Sequence, residues 1–200
     1  MPKVNKRKAK SEAEIVSEET QEMPSSTPYF NVEFAPGRFL VYSRFNERDL
    51  IHVREYVTMG ERTYPTKKGV CFTPGRLSVL RGKIDLIDAM LILNADPILK
   101  TGEPTYREHL GAGIYASISE EYQGVSLRSY WIPEGEHSIA PTKNGIYLPV
   151  SQWTALKLKL DELLAAHPGL IDAVECSSTH GSNQIDSRVY AVWSVSKRIE

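Results

Sequence analysis

The sequence has few cysteines and no long apolar run. Only two of its 200 residues are cysteine, Cys71 and Cys176, and neither belongs to a Cys-x-x-Cys pair. This argues against a disulfide scaffold and favours two reduced thiols, with one disulfide between them as the alternative. No segment reaches the roughly 20 apolar residues needed to span a bilayer, so we predict a soluble protein without a membrane partner. The charged N-terminus lacks the apolar stretch of a secretory signal.

The motifs of common catalytic centres are also missing. The chain contains no Gly-x-x-x-x-Gly-Lys phosphate loop and no recognisable serine or cysteine nucleophile motif. Cys176 and His180 are four positions apart, but no second pair of metal ligands accompanies them. We therefore predict that the protein is not an enzyme and needs no metal or cofactor.

Net charge is close to balanced, but the charges are unevenly distributed. The formal charge of −1 argues against indiscriminate coating of duplex DNA, which usually needs a strongly basic domain. Five basic side chains lie within residues 3–10 and five glutamates within residues 12–22. Residues 1–28 contain few bulky apolar side chains, and we predict that they form a disordered charged arm. The basic part fits a nuclear-import signal or a loose phosphate contact, and equally a solubilising tail.

What the chain does contain is a strand-rich pattern followed by a helical one. Alternating apolar and polar residues predict strands over 30–34, 38–43, 49–56 and 70–72. The segment Pro65–Gly69 has the composition of a turn. Thr73 and Pro74 then fit the cap and first position of a helix. An apolar stripe follows at helical spacing, formed by Leu77, Leu80, Ile84, Ile87 and Leu91.

The same order recurs in the second half of the chain. Arg54-Glu55-Tyr56 returns as Arg128-Ser129-Tyr130, and Pro65–Gly69 returns as Pro141–Gly145 with four of five residues identical. Strands are predicted over 113–118, 124–131 and 146–148, with a helix over 150–166. Trp153 occupies the position of Leu77 on the apolar helix face, and both are predicted to lie in the core.

These repeats predict an α+β protein made of two tandem modules. Each module is a four-stranded antiparallel sheet with a C-terminal helix, and one copy alone is small for an independent core. We predict that the copies pack as a pseudo-dimer within one polypeptide, which could dimerise further. The predicted boundaries are residues 29–95 for the first module, 96–110 for a linker and 111–176 for the second module. Residues 177–200 form an extension with a possible extra strand.

The combined motif resembles positive cofactor four, an RNA polymerase II transcriptional coactivator with a single-stranded DNA-binding domain. The residues that carry the resemblance are Arg54-Glu55-Tyr56, Gly60-Glu61 and Pro65–Gly69 before a short strand and a helix. It extends over residues 36–91 and, less closely, over 111–174. Members of this family are homodimers whose curved sheets hold two antiparallel single strands. The resemblance therefore implies that this chain forms the paired binding unit by itself.

The resemblance also implies which residues of the first module bind nucleic acid. Phe45 corresponds to the family's stacking phenylalanine, and Arg48, Arg54 and Lys68 correspond to basic positions. We include Lys67, the cation beside Lys68. Val57 stands where the family has a tryptophan, so one stacking platform is missing in this copy.

The second module departs from the family at different positions. Trp131 occupies the tryptophan position and Arg128 the arginine position, while Tyr122 is the aromatic residue nearest the place of the phenylalanine. Asn144 replaces the turn lysine, which leaves Lys143 as the nearest cation. Glu120 and Glu121 would repel phosphate. The two incomplete sites either complement each other across one groove, or one copy has lost binding.

The predicted function is single-stranded DNA binding of the transcriptional coactivator type, in transcription, with replication as an alternative role. Cations would track phosphates and aromatic rings would stack on unpaired bases. The expected partners are single-stranded DNA, with melted duplex or RNA as further candidates, and proteins of the transcription machinery, in the nucleus. Two alternatives remain: a protein-interaction scaffold with degenerate nucleic-acid sites, and an RNA-binding protein.

Overall fold

Two four-stranded antiparallel sheets, each followed by a helix, make up the computed structural model, which describes residues 28–95, 106–119, 122–134 and 138–173. In each sheet the strands pair in chain order. The first module comprises β1 (Phe30–Ala35), β2 (Arg38–Phe45), β3 (Arg48–Met59), β4 (Arg62–Phe72) and α1 (Pro74–Asn94). The second comprises β5 (Tyr106–Gly111), β6 (Ile114–Ser119), β7 (Tyr122–Trp131), β8 (Ala140–Pro149) and α2 (Val150–Ala166). This confirms the predicted α+β fold.

Strand alternation decides which face of each sheet is buried. Leu40, Ile51, Val53 and Phe72 are completely buried and point to one side of the first sheet, as their period of two requires. Leu127 and Leu148 do the same in the second sheet. We call the opposite side of each sheet its outer face.

Both modules use the same register, which supports the predicted duplication. Arg54 pairs with Gly69, and Arg128 pairs with Gly145. After each arginine a β-bulge shifts the ladder, so that residues 66–68 of β4 lie opposite Glu55 alone and residues 142–144 of β8 lie opposite Ser129 alone. Two residues after each arginine, a tyrosine N–H donates to a glycine carbonyl in the first turn of its module. Tyr56 donates to Gly37 and Tyr130 donates to Gly113, both at 2.7 Å.

One apolar core serves both modules. α1 packs against β5, β6 and β7 of the second sheet as well as β3 and β4 of its own, and α2 packs against β1 and β2 of the first sheet as well as β7 and β8. The helices meet where Trp153 Nε1 donates to Asp88 Oδ1 at 2.7 Å and Lys157 forms an ion pair with the same carboxylate. Leu77 and Trp153 are 1% exposed, which confirms their predicted place in the core.

The segments predicted as turns around residues 65–69 and 141–145 lie inside strands instead. Pro65 pairs with Tyr56 in β4, and Pro141 pairs with Tyr130 in β8. Within its own sheet β4 has a neighbour on one side only, and proline is tolerated in an edge strand because one row of N–H groups is not needed there. The turn-forming composition therefore marks the bulged part of each of these strands.

The second sheet begins earlier in the chain than the sequence indicates. β5 starts at Tyr106, inside the segment 96–110 that the sequence predicts to be a linker. The alternation of apolar and polar residues in β5 is hidden because the half-buried Glu108 takes an inward position. There Glu108 accepts a hydrogen bond from Tyr106 Oη at 3.0 Å and forms an ion pair with Lys83 at 2.9 Å. The charged arm 1–28, except for its last residue, and the extension 177–200 lie outside the described residues.

The helix ends agree with the sequence with one difference. Pro74 begins α1 and α2 ends at Ala166, both as predicted, and a short 3₁₀ turn follows at Pro168–Leu170. Thr73 occupies the N-cap position of α1, but its side chain makes no cap hydrogen bond. Neither helix in the described part of the chain combines the length and apolar character of a membrane span.

Candidate nucleic-acid interface

An arginine lies beside a pair of aromatic rings on the outer face of each sheet. Val53 points into the core, so Arg54 points outward, where it pairs with Phe39 of β2. The ring of Tyr56 meets that of Phe39 edge-on at 4.9 Å between centroids. In the second module Tyr130 meets Tyr115, the partner of Arg128, at 5.0 Å in the same arrangement.

Both arginines are fixed to the strand beside them. Arg54 Nη1 donates to the Thr66 carbonyl at 3.1 Å, and Arg128 Nη1 donates to the Thr142 carbonyl at 2.7 Å. Each side chain crosses the glycine paired with it, since a Cβ on Gly145 would lie 2.8 Å from Arg128 Cγ. The glycine therefore provides the space in which the half-buried arginine side chain lies.

The predicted lysines are close in sequence to the carbonyls that hold these arginines. Lys67 and Lys68 are exposed and directly follow Thr66, and Lys143 is exposed and directly follows Thr142. Exposed cations therefore lie one or two residues along the strand from each arginine's carbonyl partner. Lys68 Nζ lies 3.0 Å from Glu55 Oε1, but such an exposed pair holds its lysine weakly and leaves it available to another anion.

The predicted stacking residues Phe45 and Trp131 are exposed, and each lies at a different end of its own module. Phe45 is 47% exposed and pairs with Arg48 across a two-residue turn. Trp131 is 55% exposed at the opposite end of its sheet, in the position of Val57. From Arg48 to Val57 the strand extends about 30 Å at its usual rise. The two ring positions of one module therefore mark the ends of a surface rather than one compact site.

Three residues singled out in the sequence have no described side chain. Tyr122 begins β7 and pairs with Ser119, but its side chain lies outside the described residues. Glu120 and Glu121 lie outside them as well.

The first module matches a known family. Residues 36–82 match the family model of Transcriptional Coactivator p15 (PC4). The first module is PC4-like. This confirms the resemblance for the first module, where the match covers β2, β3, β4 and the beginning of α1. No curated protein matches the chain significantly.

Among solved structures, the chain is similar to the crystal structure of a MoSub1–DNA complex, described as revealing a novel DNA-binding mode. The identity is 26%, and the match covers 38% of this chain and 96% of that one, with a TM-score of 0.33.

The PC4-like module and its repeat carry three outer-face residues that sequence reasoning missed. Phe39 and Tyr115 form the aromatic pairs described above, and Arg107 places its guanidinium 5.0 Å above the ring of Tyr130. Their signal was present in the strand alternation, because Phe39 precedes the buried Leu40 and therefore points outward. No cluster of three or more possible metal ligands occurs in the part of the chain that the structure describes.

The close contact between β7 and β8 depends on a glycine. Replacing Gly145 by alanine is expected to destabilise the protein by about 2 kcal/mol, because the new methyl group overlaps Arg128 and lies 2.9 Å from the Leu127 carbonyl. Urea unfolding would measure the change. Gly169→Ala is the matched control, since its Cβ would meet nothing within 4 Å. Equal stability of both variants would contradict the packing described.

A histidine on the outer face of the PC4-like module is held neutral. Burial, with a smaller contribution from the charge of Arg54, lowers the pKa of His52 from 6.5 to about 4. Its Nε2 lies 3.9 Å from Cys71 Sγ, and burial raises the pKa of that thiol. Cys71 is a free, half-exposed cysteine, and Cys176 lies outside the described residues.

This histidine should make folding stability depend on pH. As the pH falls below 6.5 the unfolded chain binds a proton at His52 that the folded chain does not bind until about pH 4. Stability is therefore lost as acid is added over that window, by about 3 kcal/mol in total. Urea unfolding at about pH 7 and about pH 4.5 should show a smaller loss for His52→Gln than for the unmodified protein. Identical losses would rule out His52 as the source.

Proposed function

We propose that this protein binds single-stranded nucleic acid, with single-stranded DNA as its preferred ligand, in a transcriptional coactivator role. The observation that supports this most directly is the repeated outer-face arrangement, in which an arginine fixed to a carbonyl lies beside paired aromatic rings. The PC4 family match over residues 36–82 supports the same class of function.

The chemistry suits an unpaired strand better than a duplex. Cations that track phosphates attract either form, but aromatic rings gain stacking energy only from bases that are not already stacked in a helix. Phe45 and Trp131 are large and exposed, which suits stacking on unpaired bases of a flexible strand. Because the arginines are already held in place, little side-chain entropy is lost when they meet phosphate.

Non-enzymatic binding is part of this proposal. A protein of this kind would hold melted DNA open, and nuclear import through the basic residues 3–10 would bring it to its template. Its contacts would be largely independent of sequence, since stacking and phosphate contacts do not identify individual bases.

Fluorescence anisotropy tests the proposal with the full chain. Labelled oligo-dT should bind more tightly than a duplex of the same length. Its affinity should fall as salt rises, and the logarithm of the binding constant should decrease with the logarithm of the salt concentration by about 0.7 per phosphate contact. Oligo-U of the same length separates a DNA preference from an RNA preference. Equal affinity for oligo-dT and duplex would overturn the proposal.

The protein-interaction scaffold has its own supporting observations. Val57 offers no stacking platform, and exposed apolar side chains occur near the end of α1, where Ile92 is 74% exposed and Leu93 is 50% exposed. If this alternative holds, oligo-dT will bind no more tightly than duplex, and its affinity will be unchanged in Trp131→Ala and Arg54→Ala. The same titration therefore decides between the two.

A further inference from the structure

The outer face of the second sheet contains a recess that is large enough for one nucleotide. Its volume is about 450 Å³, within the range of about 300–1,000 Å³ that small-molecule sites usually have. All four strands of the sheet contribute side chains to it, and those that bear on its chemistry are Arg107, Ser117, Ser126, Arg128, Tyr130 and Tyr147.

Small residues line this recess at positions where the first module has larger ones. Ser117 pairs with Ser126 across β6 and β7, whereas the corresponding pair in the first module is Val41 with His52. Val41 is completely buried and His52 is half-buried, so larger side chains occupy the equivalent positions of the first module. The outer faces of the two modules therefore differ although their backbones share one register.

A third small residue lets an aromatic wall form. A Cβ on Gly124 would lie 2.6 Å from Tyr147 Oη and 2.3 Å from the Leu148 carbonyl, so the tyrosine ring occupies the space above the glycine. Leu50 holds the corresponding position in the first module. The first module also supports the backbone of this wall: Arg38 Nη1 donates to the Tyr147 carbonyl and, at 2.6 Å, to Gln152 Oε1.

The walls combine positive charge with aromatic surface. Arg107 and Arg128 both line the recess, and among the described residues no acidic side chain lines it. Arg107 corresponds to Asn31 in the first module, so this second cation is again specific to the second copy. Tyr147 and Tyr130 supply aromatic rings, with Arg107 over one face of Tyr130, and the two serines supply hydroxyl groups. An anion that also carries a planar ring fits this set, and a nucleotide has both.

We infer that the second module takes one unstacked nucleotide of the bound strand into this recess, with its base against Tyr130 or Tyr147 and its phosphate near Arg107 and Arg128. This inference rests on the proposed single-strand binding and goes beyond it, because it makes the two modules unequal. The first module contacts the strand on its surface, and the second fixes one nucleotide in place.

Exchanging residues between the copies tests the inference. In the double variant Ser117→Val with Ser126→His, the recess receives the side chains of the first module. Its affinity for oligo-dT should fall about tenfold, the effect of losing one stacked base. Arg107→Asn, which imports the other first-module residue, should lower affinity and reduce the salt dependence. The mirror variant Val41→Ser with His52→Ser is the control and should change affinity less than about twofold.

A measurement that needs no variant accompanies these titrations. Oligo-dT containing iodouracil, irradiated in complex with the full chain, should crosslink to Tyr130 or Tyr147, as mapped by mass spectrometry. If the unmodified protein binds oligo-dT but the exchanged variant binds equally well and crosslinks map elsewhere, the inference is overturned and the proposed function stands. If the unmodified protein does not bind oligo-dT, both are overturned.

Discussion

Trp153→Ala is expected to destabilise both modules together, by about 4 kcal/mol. The indole is 1% exposed, lies in the core that the two sheets share, and donates to Asp88 Oδ1 at 2.7 Å. Alanine would leave a cavity and would also remove the indole hydrogen bond from the half-exposed Asp88 carboxylate, which would keep its ion pair with Lys157. Urea unfolding followed by far-UV circular dichroism measures the loss.

The number of steps in the urea-unfolding transition shows whether the two modules unfold together. Because each helix packs against the sheet of the other module, neither sheet keeps its cover once the core opens, and we expect one cooperative transition. Leu158→Ala is the matched control on the same helix, since Leu158 is 61% exposed and should change stability by less than about 0.5 kcal/mol. Two separate transitions in the Trp153 variant would show that the modules fold independently.

Most of the fold could be predicted because its signals are local. The apolar period of two in β2 and β3 and the stripe around Leu77 indicate directly which face of each element is buried. The recurrence of Pro65–Gly69 as Pro141–Gly145 then indicates a second module. The turn prediction failed because Pro65 lies in a strand opposite Tyr56, beyond a bulge, and this pairing is not visible in the composition of residues 65–69 alone.

The candidate site was less predictable, for a similar reason. The outward direction of Arg54 could be inferred from its neighbour Val53, which is buried. The fixation of Arg54 by the Thr66 carbonyl depends on β4 lying alongside, and the recess depends on Ser117 and Ser126 being opposite each other. In the sequence, serines in a strand indicate only a low strand propensity. That they leave space for a recess becomes visible only when the register places them opposite each other.

The two modules share a backbone but divide the chemistry. The first carries more exposed cations around Arg54, namely Lys67 and Lys68, and an exposed ring at Phe45. The second has Asn144 in place of one lysine but gains Trp131 and Arg107. Duplication within one chain allows this divergence, whereas a symmetric homodimer must repeat every substitution in both copies.

The exposed rings should provide the largest share of the binding energy, and Trp131→Ala tests this. Its 55% exposure means that truncation removes little packing, while the lost stacking should weaken oligo-dT binding by about 1–3 kcal/mol, roughly tenfold or more. Phe45→Ala should have an effect in the same range. Ile132→Ala is the control, because Ile132 is the next residue and 61% exposed but has no flat ring.

The missing platform of the first module gives the converse experiment. Val57 is 41% exposed in the position of Trp131, so Val57→Trp should fit without disturbing the core. If base stacking at this position holds the nucleic-acid strand, the added ring should strengthen oligo-dT binding by about 1 kcal/mol or more and leave duplex binding unchanged. A gain for duplex as well would indicate general apolar adhesion. No gain, together with an unaffected Trp131→Ala variant, would remove both ring positions from the interface and leave binding to the arginines and lysines.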